Sequence, residues 1–357
     1  MESRAYRIAV LAGDGIGPEV IAEGIKILRA VERRLQGVRF QLGEYSVGAG
    51  EYLRCGNPLP ADTFEQCRKA DAILLGAMGL PDVRWPGGTE MAPQLDLREQ
   101  LDLYCGLRPL RLYHSNDTPL KSCRAGEIDL VIVRENTEGL FSSRLDKPSP
   151  DAREVTDRMR ISRRGAERIF RAAFGEALRR RRLLTLVDKS NVLPSMAFFR
   201  RIFDEISGEF PSVRAEKIYI DAASLYLVQR PQAFDVIVTE NLFGDILSDL
   251  AAALVGGMGM APSADIGDRH AVFQPSHGSA PDIAGRGIAN PTATVLSVAM
   301  MLDWLGHPET VRGAAQIRRA VEQVYSAPDQ RTEELRGTLS TTQMGDRIAA
   351  ALEARPG

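Results

Sequence analysis

The sequence lacks any run of 18 apolar residues, any repeat at a fixed period, any low-complexity linker and any appreciable net charge. Without a long apolar run, no helix can span a bilayer. A formal charge of −2, from 45 Lys and Arg against 47 Asp and Glu, leaves no electrostatic footprint for nucleic acid or an anionic membrane. Arg179 to Arg182 is the one basic run, and it reads as a solvated helix end. No basic region or cleavage site precedes Tyr6 to Ala12, a short apolar run leading straight into a glycine turn, so a cytoplasmic protein is expected. Cysteine is scarce: Cys55, Cys67, Cys105 and Cys123 are widely spaced, show no zinc-binding pairing and fit reduced structural thiols.

What is present is an ordinary globular balance, with 44% hydrophobic and 26% charged residues over 357 positions, enough for two domains or one large one. Strand-like runs alternate with helical patterns: Arg7 to Leu11 then Glu19 to Arg33; Ala72 to Gly76; Leu130 to Arg134; Leu183 to Val187; Phe234 to Thr239 then Leu247 to Val255. This alternation predicts an α/β fold with a largely parallel sheet. Ser142 to Arg160 differs, being polar, carrying Pro148 and Pro150 and showing little apolar periodicity. It reads as a loop, or as an arm that orders against a partner.

Gly13 to Glu19 (GDGIGPE) follows a strand and opens a helix, as a dinucleotide-binding turn would. Its third glycine comes too early for that pattern, and no acidic residue ends a second strand about 20 residues on. A tight strand-to-helix turn with proline at the helix start explains it equally well. Asp245 and Asp249, in Asn241 to Leu250 (NLFGDILSDL), are four apart and so share a helix face. Two carboxylates that close are unfavourable unless a cation lies between them, and hard oxygen ligands suit Mg²⁺ or Mn²⁺. The alternative is that one of them merely decorates the first helical turn. Asp221 and Lys189 follow apolar strand-like runs, where ligands of open α/β sheets bind, although either could be a plain surface charge. Arg98, Arg108 and Arg134 sit among Leu, Pro and Val, and their guanidinium forks suit carboxylates.

Together these blocks make the chain resemble the β-decarboxylating dehydrogenases, the family of isopropylmalate, isocitrate, homoisocitrate and tartrate dehydrogenases. The likeness runs through GDGIGPE, LDLYCGLRP (Leu101 to Pro109), RENTEG (Arg134 to Gly139), DKSNVLP (Asp188 to Pro194), NLFGDILSD, HGSAPD (His277 to Asp282) and IANPT (Ile288 to Thr292). It implies that family's two-domain fold rather than a Rossmann dinucleotide fold. Residues 1–103 and 256–357 would form the cofactor side, and 104–255 a central domain with the dimer interface and an arm near 142–160. By the same resemblance Asp221, Asp245 and Asp249 match metal ligands, Arg98, Arg108 and Arg134 match substrate clamps, and Lys189 matches the catalytic lysine, with Asp221 beside it in the catalysis. Lys189 and Asp221 would enter from a second subunit, making an obligate homodimer. Nicotinamide dinucleotide would lie along His277, Gly278, Ser279, Ala280, Asp282 and Asn290, with Asp282 on the adenosine ribose. A carboxylate there repels a 2′-phosphate and favours NAD over NADP. The implied reaction is metal-assisted, NAD-dependent oxidation and decarboxylation of a hydroxy-dicarboxylate, a 3-substituted malate.

Three departures bear on that expectation. The family's RENTEG block normally continues to a tyrosine that protonates the enolate, and here Phe141 keeps the ring without the O–H. Water, another hydroxyl such as Tyr226, or slow decarboxylation would then make up the difference. Gln274 stands where the family usually carries glutamate. Leu95 stands where homoisocitrate enzymes have arginine, which disfavours a third carboxylate and suits an alkyl or small substituent. Met91 and Gln94 depart from typical isopropylmalate enzymes, while RENTEG, NVLP and Leu254 to Pro262 lean toward the homoisocitrate and tartrate branch. The expected activity is on 3-isopropylmalate. The alternatives are tartrate, D-malate or homoisocitrate, or a weakly active regulatory member.

Overall fold

Runs rich in Val, Ile and Leu between polar turns become strands, because such side chains pack well on a sheet covered on both faces. The computed structural model describes residues 4–149 and 151–354, so Pro150 of the polar segment lies outside the described residues. Among the described residues ten strands form one sheet: β1 (Arg4–Gly13), β2 (Val38–Glu44), β3 (Ala72–Ala77), β4 (Cys105–Arg111), β5 (Asp129–Glu135), β6 (Leu183–Asp188), β7 (Arg214–Tyr219), β8 (Val236–Thr239), β9 (Pro262–Ile266) and β10 (Ala271–Pro275). Their order is β2-β1-β3-β10-β9-β4-β5-β8-β6-β7. Both flanks are parallel, as the alternation predicts. The centre is not, since β9 runs antiparallel to β10 and β4, and β4 antiparallel to β5.

The helices are α1 (Gly17–Glu32), α2 (Ala49–Cys55), α3 (Ala61–Lys69), α4 (Pro93–Gln100), α5 (Arg163–Leu178), α6 (Pro194–Ser207), α7 (Ile220–Gln229), α8 (Asn241–Ala253), α9 (Thr292–Trp304), α10 (Pro308–Ser326) and α11 (Thr341–Glu353). Local chemistry sets their starts. Pro18 lies in the first turn of α1, Ser162 caps α5 by accepting from Gly165 N, and Ser340 with Gln343 forms a reciprocal capping box on α11. α9 is apolar nearly all round and is accordingly buried, with Val295, Val298, Met301 and Leu302 wholly covered. One large core joins α1, α9, α10 and α11 to β1, β3 and β10. Another gathers Phe170, Phe174, Phe199 and Phe203 under β5, β6 and β8, where burying each ring contributes roughly 1.5–3 kcal/mol.

None of the helices among the described residues is long and apolar enough to cross a membrane. The four thiols are free, and burial pushes Cys67 and Cys105 up to about 12, which keeps them protonated and unreactive. The Arg179 to Arg182 run is less solvated than its composition suggests. Arg180 binds Asp129 and the fully buried Asp235 on the strand side of the turn. Across the polar segment, Gly139 and Arg160 pair through their backbones, and Ser143 Oγ accepts from Arg158 N at 3.0 Å. Most of the described residues between them are exposed, Leu145 and Val155 each at 64%.

Candidate active site

The site is built outward from α8. β8 ends at Thr239, and Glu240 then caps the helix, accepting from Leu242 N at 3.1 Å and Phe243 N at 2.6 Å. Asp245 and Asp249 follow one turn apart. Arg134, near the end of the neighbouring strand β5, reaches across and donates Nε and Nη2 to Asn241 Oδ1 at 3.0 and 2.7 Å, and Nη1 to Asp245. Burial first, and then the charge of Asp245, push the Asp249 carboxyl above its usual range. A divalent cation between these two carboxylates would reverse that penalty, so the donor set fits a hard metal ion.

Strand register explains the arginine cluster. On β4, Gly106 and Arg108 point to one face, and Gly106 lies opposite both Arg134 on β5 and Asp265 on β9. Arg98 joins them from the last turn of α4, with Nε 2.8 Å from Asp265 Oδ2, while Arg108 Nη2 lies 3.9 Å from Oδ1. All three arginines are buried. Burial and then the neighbouring Arg98 push Arg134 down to about 10, which still leaves it charged at neutral pH. Asp265, Asn136 and Asn241 were not assigned roles from the sequence. A lone aspartate inside the apolar strand PSADI is the one signal that could have marked the first.

Lys189 and Asp221 stand at the carboxyl ends of the parallel neighbours β6 and β7, so register brings them together: Nζ is 2.7 Å from Oδ1. That pair does not join Asp245 and Asp249 within the chain, since no group of three His, Cys, Asp or Glu suited to a metal occurs among the described residues. α7 packs on α8, and the two helices expose Leu225 (52%) and Val228 (43%) of α7 and Ile246 (56%) of α8.

The glycine turn meets the His277–Asn290 segment rather than standing alone. Ile16 N donates to Ser279 O at 2.8 Å, and Glu19 accepts from the backbone N–H groups of Gly285 and Gly287. Gly15 is at φ +58°, and a Cβ there would lie 2.0 Å from Ser279 O, so only glycine permits the contact. The turn is therefore a structural support, and it brings β1 and α1 against the segment. Gly278 and Asp282 are exposed, Ala280 holds a left-handed φ of 39°, and Asn290 Oδ1 accepts from Thr292 N at the start of α9. Burial lowers the pKa of His277, favouring the neutral ring, and its buried Nε2 has no partner among the described residues. An unpartnered buried nitrogen beside open glycine backbone suits a polar ligand such as a dinucleotide.

Phe141 lies in a 3-10 turn (Leu140–Ser143), 5.5 Å under the Arg134 guanidinium, and shares a small recess with Leu95, Glu99, Asn136, Thr137, Arg144 and Asn241. Tyr226 is elsewhere, on α7 with Arg230 over its ring. Gln274 is on β10 and donates Nε2 to Asp265 Oδ2 at 2.7 Å.

A family model described as isocitrate/isopropylmalate dehydrogenase matches residues 7–348. Relatives named 3-isopropylmalate dehydrogenase are 46% identical in Moorella thermoacetica (98% of this chain, 99% of the relative) and 44% in Thermobifida fusca (98% of each). The crystal structure of isocitrate dehydrogenase from Methylococcus capsulatus superposes with a TM-score of 0.87 at 37% identity, over 97% of this chain and 99% of that one. The apo β-decarboxylating dehydrogenase from Thermococcus kodakarensis gives 0.80 at 39% identity, over 98% and 96%.

Proposed function

The chain belongs to the isocitrate/isopropylmalate dehydrogenase family, and on that premise we propose that it oxidises and decarboxylates 3-isopropylmalate with NAD and Mg²⁺ or Mn²⁺. The observation that carries this reading is the meeting of Arg98, Arg108 and Arg134 beside the paired carboxylates of α8. Buried guanidinium groups hold substrate carboxylates bidentately, and carboxylates four apart hold a cation. The names of the relatives select 3-isopropylmalate among malates. Leu95 and Phe141 are the apolar members of a recess whose charged residues, Glu99 and Arg144, pair with each other, so an alkyl substituent finds no unpaired charge there.

When bound, the metal would supply Lewis acidity toward the C2 hydroxyl, and NAD along His277 to Asn290 would accept the C2 hydride. Asp245 and Asp249, with Asp221 of a second subunit, are the proposed ligands. Lys189 and Asp221 relay the hydroxyl proton. Lys189 Nζ passes its own proton to the Asp221 carboxylate, 2.7 Å away, and takes the one leaving the C2 oxygen as that oxygen becomes a carbonyl. The three arginines keep the carboxylates fixed while the 3-oxo acid loses CO₂. Residues 1–103 with 256–357 are proposed as the cofactor side and 104–255 as the dimerising side. The segregation of the large cores and the exposed apolar residues on α7 and α8 support that division.

The test is NAD reduction in the presence of Mn²⁺ with 3-isopropylmalate, tartrate, D-malate, isocitrate and homoisocitrate. The best kcat/KM is expected for 3-isopropylmalate. A clear preference for another acid would reassign the substrate, and turnover of none would leave a regulatory member.

A further inference from the structure

On one face of the sheet's centre, register places Gln274 (β10), Asp265 (β9), Arg108 (β4) and Arg134 (β5) in succession. Asp265 is the hub. Its Oδ2 accepts from Arg98 Nε at 2.8 Å and from Gln274 Nε2 at 2.7 Å, while its Oδ1 accepts from Asn136 Nδ2 at 2.8 Å and faces Arg108 at 3.9 Å. Asn136 gets there only because position 106 has no side chain, since a Cβ on Gly106 would lie 2.7 Å from Asn136 Oδ1. We propose that Asp265 is the positioning residue for the substrate arginines and sets the number of negative charges the site accepts, with Gln274 as the neutral donor that leaves its charge free for them. This rests on the reading of the site as one for a malate-type acid.

Three buried arginines with only Asp245, on Arg134, as counter-ion would repel one another and suit a more highly charged anion. Asp245 faces Arg134 and is committed to the proposed metal, whereas Asp265, itself 1% exposed, is a permanent counter-charge on Arg98 and Arg108 that lowers by one the number of negative charges the arginines accept. Burial alone would favour its neutral form, but the charges of Arg98 and Arg108 outweigh that and hold its carboxyl below the usual range. It also fixes direction. Arg98 is gripped at Nε rather than at its terminal nitrogens, and Arg108 is further located by Nη1 on Ser276 Oγ at 3.1 Å. Glutamate at 274 would set a second carboxylate against Oδ2, and the two would coexist only by sharing a proton. The Asp265 charge would then be drawn away from the arginines. The departure from glutamate at Gln274 is thus the complement of an aspartate at 265.

The experiment compares D265N, Q274E and the exchange variant D265N/Q274E in the full-length enzyme, by KM and kcat for 3-isopropylmalate, inhibition by citrate as a trianionic probe, and urea unfolding. Each single variant should raise KM about tenfold with kcat within about threefold, and D265N should shift preference toward citrate by about tenfold. The exchange variant should recover most of KM and of the unfolding midpoint, because carboxylate and amide only trade places. An unchanged KM and citrate preference in D265N, a loss confined to kcat, or an exchange variant no better than the worse single would overturn the proposal. Should D265N not fold, Asp265→Glu keeps the charge while displacing it, and an unchanged KM there would overturn the proposal equally. If the wild type oxidises no malate, the proposed function fails on its own. Calorimetric affinities for the same dianion and trianion then replace KM in this test.

Discussion

At Phe141 the ring keeps its place under Arg134 at 5.5 Å, where a phenyl face attracts a guanidinium as well as a tyrosine would. What is missing is a proton donor. Tyr226, a candidate by sequence, lies on α7 with Arg230 against its ring and is not among the residues lining the Phe141 recess. Tyr226 would reach a site only from a second subunit, on the same helix as Asp221, so protonation of the enolate is expected to fall to water or to that phenol, and decarboxylation to lag oxidation. Phe141→Tyr should raise the rate of CO₂ release by roughly tenfold or more, toward the range a positioned general acid supplies, and bring it level with NADH. Measuring NADH and CO₂ together checks this. Equal yields at similar rates in the wild type would show that the phenolic O–H was never needed. The charged residues of the site were legible one by one from the sequence, because Lys189, Asp221, Asp245 and Asp249 follow strands or lie a helical turn apart. Asp265 and Asn136 were not, since their meaning comes from pairing across strands that stand far apart in sequence.

At the scale of elements, α8 depends on its cap. Glu240 is fully buried, and two backbone donors hold its carboxylate, yet burial still raises its pKa above the ordinary carboxylate value. The folded state therefore holds this proton more tightly than the unfolded chain does. The stability it contributes is fully present below the ordinary carboxylate range and is lost as pH rises through the raised folded value. Glu240→Gln, which cannot ionise, should lose less stability than the wild type between about pH 4 and 7 in urea melts. Glu240→Ala should cost on the order of 1 kcal/mol at the acid end of that window through the lost cap, and less as pH rises and the wild type loses its own stability. It should also weaken Mn²⁺ binding, because the capped turn leads directly into Asp245. If the pH dependence of Glu240→Gln matched the wild type, the carboxylate would not be the titrating group. The same scale shows where sequence reading stops. Parallel strands buried on both faces announce themselves as apolar runs, as β3, β5 and β6 do. The short antiparallel β9 and β10 carry Pro, Ser, Asp and Gln, and only the sheet's order shows that they join its two flanks.

For the whole molecule, the question is why Lys189 and Asp221 form a pair apart from the α8 carboxylates. A two-fold dimer through α7 and α8 would cover Leu225, Val228 and Ile246 and carry each pair to the partner's α8. The proposed site then takes Lys189 and Asp221 from one subunit and Asp245, Asp249 and the arginines from the other. Mixing two dead enzymes tests this. Lys189→Ala and Asp249→Asn should each be inactive alone. In a hybrid dimer, the intact Asp249 of the first variant meets the intact Lys189 of the second at one of the two sites, and the other site carries both lesions. Random reassociation after denaturation makes about half the dimers hybrid, each with one good site, so activity should return to about a quarter of the wild-type value. A site contained within one chain has no such route, because each subunit of the hybrid would still carry its own lesion. Activity that stays at the level of the separate variants, with hybrid formation confirmed by native mass spectrometry, would overturn the shared site.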